Sequence, residues 1–260
     1  ADLCCASNGR SASLRGGSTE VNGARRSGER SVRPLRRPLE VVRGPYRALM
    51  GEHEAAHPAH SAEEWDARYQ ERGDAMWSGR PNGRLVAEVS ELPPGRALDV
   101  GCGEGADAIW LARQGWTVTG IDISAVAVER ARQAAAQAGV EVEWVCGDAL
   151  VAEVPAGAFD LVSLQYPALP KAPGEAATRA LLDAVRPGGL LLAVYHDLDE
   201  EHRAHMRERG VDPAEYVDVE DLVALLGDDF SLERHAVEPR IDPPPGVPHI
   251  ADVVVRARRR

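Results

Sequence analysis

The chain has 260 residues, 44% of them hydrophobic, which suffices for one well-filled α/β domain with an appendage. Its net charge of −11 is uneven: residues 1–60 hold 10 Arg against 6 acids (+4), and the rest holds 20 Lys and Arg against 35 acids (−15). An acidic main domain repels phosphates and argues against a nucleic-acid substrate, and no apolar run reaches the roughly 18 residues of a membrane span.

Residues 1–60 are rich in Ser, Gly and Arg without an apolar period, so an unstructured extension is expected there. Met50 is the first methionine, and the native protein is expected to begin at it. The alternative for residues 1–49 is an Arg-rich tail that binds nucleic acid. His53-Glu54-Ala55-Ala56-His57 fits the zincin pattern H-E-x-x-H. Gly51 before it and Pro58 after it deny that motif a stable helix with a buried face, so a solvated tail and no metal are expected. No apolar signal region opens the chain. Cys4 and Cys5 are adjacent, and Cys102 and Cys146 stand apart, so the cysteines form no disulfide framework. A reduced, cytoplasmic setting fits.

From Ser61 the pattern turns helical. Ser61 and Glu64 have the spacing of a capping box, and Trp65 and Tyr69 lie one helical turn apart. Trp77 follows close to Gly79 and Pro81. Residues 61–95 are therefore expected to form an N-terminal helical segment. The main domain, residues 96–260, opens with an apolar strand running into Asp99-Val100-Gly101-Cys102-Gly103-Glu104-Gly105, and a helix over Ala106 to Gln114 follows at once. Alternate glycines let the backbone turn sharply and bring bare N–H groups close to a ligand. A phosphate site would not place Asp99 there, whereas a ligand carrying ammonium or sulfonium charge would. Gly101, Gly103 and Ala106 also fit the dinucleotide fingerprint, so the loop alone leaves a nicotinamide oxidoreductase open.

The next pieces narrow the choice. A second strand, Trp116 to Ile121, ends in Asp122, near the spacing at which a carboxylate takes ribose hydroxyls. Both cofactor classes contain ribose, so Asp122 does not discriminate. Ser124 caps a helix over Ala125 to Ala138, and Gly139 ends it. A third strand, Val142 to Cys146, precedes Gly147-Asp148-Ala149, where an acid can accept from an adenine amino group and a backbone N–H can cover the ring nitrogen. A fourth strand, Phe159 to Leu164, leads to Gln165 and Tyr166. A helix over Ala176 to Val185 is expected to close at Pro187-Gly188-Gly189 before a fifth strand, Leu190 to Tyr195. A polar, acidic stretch, Asp197 to Asp218, then a short helix, Val219 to Leu226, come next. Two last strands, about Ser231–Val237 and Ala251–Ala257, flank a proline-rich loop. Repeated βα units imply a parallel sheet with ligands at the carboxyl ends of its strands.

Taken in order, LDVGCGEG (98–105), GIDIS (120–124), GDA (147–149), FDLVSLQY (159–166) and RPGGLLLAVYH (186–196) resemble the class I S-adenosylmethionine-dependent methyltransferases over about residues 61–260. An oxidoreductase reading leaves Asp99, Asp148 and the Pro-Gly-Gly turn without a role. The resemblance implies a Rossmann-like, seven-stranded, mostly parallel sheet of order 3-2-1-4-5-7-6, with the last strand antiparallel and helices on both faces. It implies S-adenosyl-L-methionine as cofactor, bound by Asp99, Gly101, Cys102, Gly103, Gly105, Asp122, Ile123, Asp148, Ala149 and Gln165. It also implies that Trp65, Tyr69 and Trp77 lie over the cofactor as a lid. The string from Trp65 to Asn82 is similar to the small-molecule branch that includes tellurite-resistance and thiopurine methyltransferases.

For the acceptor side, His196, Tyr166 and Tyr195 are the candidate catalytic groups, and a neutral His196 is the best base near pH 7. Hydrogen bonding of His196 to an acid such as Asp197 is the structural alternative. The Gln165-Tyr166-Pro167-Ala168-Leu169-Pro170 segment lacks both the Asn/Asp-Pro-Pro-Tyr pattern of amino-directed methyltransferases and a Pro-Cys nucleophile. The expected partner is a small-molecule substrate, and the expected assembly is a monomer or homodimer. A protein- or RNA-directed enzyme and a non-catalytic cofactor-binding domain are the competing functions.

Overall fold

The computed structural model describes residues 61–171, 174–208, 210–243 and 250–260. The expected N-terminal extension, the start at Met50 and the His53-to-His57 motif lie outside the described residues, as does the 244–249 part of the proline-rich loop. The elements are α1 (Ala62–Glu71), α2 (Gly83–Val89), β1 (Arg96–Val100), α3 (Ala106–Arg113), β2 (Thr117–Asp122), α4 (Ala125–Ala138), β3 (Glu143–Cys146), β4 (Phe159–Gln165), α5 (Glu175–Asp183), β5 (Val185–His196), α6 (Glu200–Glu208), α7 (Val219–Leu226), β6 (Phe230–Pro239) and β7 (Ala251–Arg259).

The seven strands form one sheet in the order β3-β2-β1-β4-β5-β7-β6. The pairings β1–β2, β1–β4, β2–β3 and β4–β5 are parallel, and β7 runs antiparallel to both β5 and β6. Strand alternation divides the core. Leu98, Val100, Leu191 and Ala193 face the side covered by α5 and α7, with Leu181, Leu182, Leu222 and Leu226. Ala97, Leu161, Leu190 and Leu192 face the side covered by α2 and α3, with Leu85, Val89, Ala108 and Leu111. Apolar side chains on both faces are what a parallel sheet between two helix layers requires.

Two boundaries differ from the sequence reading. The helix expected to run to Val185 stops at Asp183, and β5 begins at Val185, not Leu190. Pro187-Gly188-Gly189 therefore lies inside the strand. Phe159 pairs with Val185 and Leu161 with Leu190, so the extra β5 residues bulge out of the ladder. Gly188 has φ +75°, and a Cβ on Gly189 would come within 2.9 Å of Arg186 O and 3.0 Å of Phe159 O. The polar stretch after β5 is partly helical: α6 buries none of its residues, and the Asp199 carboxylate accepts from His202 N–H at 2.8 Å.

Candidate functional site

The strand tips β1, β2, β3 and β4 open onto a single cavity of about 670 Å³, walled on the other side by α1, the 77–83 segment and residues 240–242. Asp99, Gly101, Cys102, Gly103, Asp122, Ile123, Asp148, Ala149 and Gln165 line it, together with Trp65, Tyr69, Trp77, Tyr166 and His196. Gly105 and Tyr195 do not line it. Gly105 lies with φ +83°, and a Cβ there would meet the Trp144 ring at 2.6 Å, so this glycine serves close packing behind the loop. Tyr195 shares the strand face of Leu191 and Ala193 and packs into the α5–α7 core, opposite His196.

The glycine loop is held from below by Asp122. One carboxylate oxygen accepts from Gly103 N–H and the other from Ser124 N–H, both at 2.9 Å. Each oxygen keeps a further lone pair for a ligand hydroxyl. Burial raises the Asp122 pKa, while those two N–H groups pull it back. Asp148 Oδ1 accepts from Leu150 N–H at 2.8 Å, and burial raises its pKa also.

Asp99 is 2% exposed, and its Oδ2 has no hydrogen-bond partner among the described residues. Burial first, and then the nearby Asp107 and Asp122, push its carboxyl well above the usual carboxylate range. Asp107, at the start of α3, is itself pinned by Asn82, whose backbone N–H and side-chain NH₂ donate at 2.7 and 2.6 Å. Gln165 donates to Ser163 Oγ at 3.1 Å, and its Oε1 is buried without a partner among the described residues. The cavity thus presents acceptors that lack donors, a deficit that a cationic, hydrogen-rich ligand corrects.

The 69–77 segment is tied to the loop. Glu104 accepts from Met76 N–H and Trp77 N–H, each at 3.0 Å, and pairs with Arg130 of α4 at 2.8 Å. Arg130 also donates to the carbonyls of Tyr69 and Gly73. Trp77 Nε1–H donates to Tyr69 OH at 3.1 Å, and that hydroxyl stands 3.0 Å from where a Cβ on Gly103 would be. The Ser61 half of the expected capping box is present, with its hydroxyl accepting from Glu64 N–H. Asp66 of α1 caps α4, accepting from Ser124 OH and Val126 N–H.

On the far side Tyr166 has φ +52°, a strained conformation for an aromatic residue. Its ring stacks on His196 with centroids 4.2 Å apart, its hydroxyl donates to buried Asp252 at 3.1 Å, and the Arg240 guanidinium lies over the ring, 4.9 Å from its centroid. Burial, with Asp252 alongside, raises the Tyr166 pKa above the usual phenol value. Sequence reasoning missed Asn82, Asp107, Arg240 and Asp252. Their partners are remote in the chain, and nothing local marks them. Glu104 could have been singled out, because a part-buried acid inside a glycine loop calls for a cation, which Arg130 supplies.

Residues 97–189 match the family model described as a methyltransferase domain. The ubiquinone biosynthesis O-methyltransferase of Chromobacterium violaceum is 34% identical over 124 residues, which are 47% of this chain and 51% of that protein. The demethylmenaquinone methyltransferase of Thermus thermophilus is 34% identical over 113 residues, 43% of this chain and 51% of that protein. The chain spans about half the length of these curated relatives. A solved structure concerned with the conversion of a disulfide bond into a thioacetal group during echinomycin biosynthesis matches with a TM-score of 0.59 at 26% identity, covering 77% of this chain and 92% of that one.

Proposed function

We propose that this chain, which carries a methyltransferase domain of the class I S-adenosylmethionine-dependent kind, transfers a methyl group to a small-molecule nucleophile by in-line displacement. The observation that carries the reading is the meeting of three carboxylates and an unpaired amide oxygen, on Asp99, Asp122, Asp148 and Gln165, in one cavity. When bound, the donor supplies a methyl group already activated by sulfonium charge, so the protein's task is positioning and exclusion of water.

In this reading Asp99 Oδ2 and Gln165 Oε1 accept from the donor's ammonium. Asp122 accepts from the ribose hydroxyls, beside Ile123. Asp148 accepts from the adenine amino group, and Ala149 N–H covers the ring nitrogen. Gly101 and Gly103 admit the donor to the loop backbone, with Cys102 packed between them. Trp65, Tyr69 and Trp77 form the cover. His196 takes the proton of an acceptor that must lose one, and Tyr166 sets the His196 ring by stacking on it. Tyr195, on the other strand face, has no part in this step.

The relatives named for ubiquinone biosynthesis and as a demethylmenaquinone methyltransferase support a small acceptor, and the string from Trp65 to Asn82 supports the tellurite-resistance and thiopurine branch within that group. The reading takes the protein as a cytoplasmic monomer or homodimer that avoids nucleic acid. Among the described residues no helix is long and apolar enough to cross a membrane. Two measurements test the activity. Calorimetric titration compares S-adenosylmethionine with NADH. A screen of small thiols, phenols and amines is read by S-adenosylhomocysteine release. The reading expects sulfonium binding and product; tight NADH binding without sulfonium binding ends it.

A further inference from the structure

Most arginines on β6, on β7 and facing them from α2 are paired with acids. Arg84 pairs with Glu238 at 2.6 Å, Arg256 with Glu88 at 3.2 Å and with Glu233 at 2.8 Å, and Arg258 with Glu233 at 2.6 Å. Arg240 forms no ion pair with a described residue, in a domain where acids outnumber bases. It is nevertheless held in place. Its backbone N–H donates to Ile250 O at 2.8 Å, and its guanidinium rests 4.9 Å from the Tyr166 ring centroid. Tyr166 is itself fixed by the Asp252 hydrogen bond and the His196 stack. Stacking occupies the flat face of a guanidinium and leaves its N–H edge free, the edge that takes a carboxylate with two parallel hydrogen bonds.

Arg240 lines the cavity on the side of Tyr166 and His196, and Arg80 lines the same cavity. Arg80 also forms no ion pair with a described residue. Asp242 lines the cavity as well, and Asp252 lies at the Tyr166 hydroxyl, but neither forms an ion pair with Arg240. A cation seated against the Tyr166 ring next to the proposed base, with no ion-pair partner among the described residues and with the Asp252 carboxylate acting on it only from beyond ion-pair distance, is a receptor for an anion. We infer that the methyl acceptor is an anion of the carboxylate class, gripped by the guanidinium edge of Arg240 with Arg80 as a second cation. The inference rests on the methyltransferase reading of this cavity and adds to it the charge of the acceptor. The donor also carries a carboxylate, so the test must tell the two sources apart.

The full chain, saturated with S-adenosylhomocysteine, is titrated calorimetrically with a series of carboxylates, from propionate to 4-hydroxybenzoate, and with the corresponding uncharged amides. S-adenosylmethionine affinity is measured in parallel. The expected result is that at least one carboxylate binds the wild type about ten- to a hundredfold more tightly than its amide, as a charge-assisted bidentate contact would give. Arg240→Ala should erase that preference, Arg240→Lys should restore part of it, and donor affinity should hold in both. Equal binding of carboxylates and amides to the wild type overturns the proposal. So does a loss of donor affinity in Arg240→Ala, which would assign the guanidinium to the donor's own carboxylate. Failure of the wild type to bind S-adenosylmethionine or S-adenosylhomocysteine is a separate outcome that overturns the underlying reading and the inference with it. Thermal melting of both variants shows that the fold survives.

Discussion

At the scale of single residues the decisive feature is a carboxylate kept short of partners. Asp99 is buried beside Asp107 and Asp122, and burial is the largest cause of its raised pKa. The free folded protein therefore holds a proton there that the unfolded chain has lost above about pH 4. Between that value and the raised one the folded state binds more protons, so its stability falls as pH rises. A bound ammonium favours the ionised form and expels the proton. Donor affinity should thus tighten with rising pH across this window, by at most about tenfold per unit for one proton. Calorimetry in buffers of different ionisation enthalpy reads the released proton directly. Asp99→Asn should flatten that slope, weaken donor binding and raise the melting temperature of the ligand-free protein at neutral pH. A retained slope would mean that another group titrates. Asp122→Ala should weaken donor affinity about ten- to a hundredfold, from the loss of charge-assisted hydrogen bonds worth roughly 1.5–3 kcal/mol; an unchanged dissociation constant refutes the ribose assignment. These acids stood out in the sequence because a carboxylate at the tip of a buried strand has few structural uses, and the structure brings them to one cavity. Asp252 and Arg240 did not stand out, because their meaning comes from Tyr166, far away in the chain, and from its positive φ.

At the scale of elements, α1 and the 69–77 segment are held over the cavity by contacts rather than by helix propensity. Asp66 ties α1 to the first turn of α4, and the Glu104–Arg130 pair ties the 69–77 segment to the glycine loop. Removing Asp66 takes away a helix cap, so Asp66→Ala should cost about 1 kcal/mol of stability, read by chemical denaturation. Arg130→Ala should leave Glu104 without its cation. Hydrogen exchange at the Met76 and Trp77 amides is then expected to speed up, with a rise in the KM for the donor and a smaller change in kcat. Unchanged exchange would show that the loop is held by other contacts. The boundaries of α4 were readable because Ser124 and Gly139 are capping residues with sharp positional preferences. The start of β5 was not. Pro187-Gly188-Gly189 reads as a turn between elements, yet the strand absorbs it as a bulge against Phe159 and Leu161. The helical nature of α6 was hidden because none of its side chains is buried, so no apolar period marks it.

At the scale of the whole molecule, strand order and reversal of β7 follow from repeated βα units that feed a parallel sheet and from two closing strands paired antiparallel with each other. Such a sheet gathers its strand ends on one side, which is why residues scattered from Asp99 to Gln165 line a common cavity. Every described wall of the cavity comes from residues 65–242, so removal of residues 1–49 should leave donor affinity and turnover unchanged. A severalfold loss of activity in that truncation would give the basic extension a part in catalysis and favour a macromolecular acceptor. The most direct test of the account is a crystal structure of the full chain grown with S-adenosylhomocysteine. It should show one ligand molecule with its amino group at Asp99, its sugar hydroxyls at Asp122 and its adenine amino group at Asp148. A ligand bound elsewhere, or one whose three polar ends leave those carboxylates untouched, would contradict it.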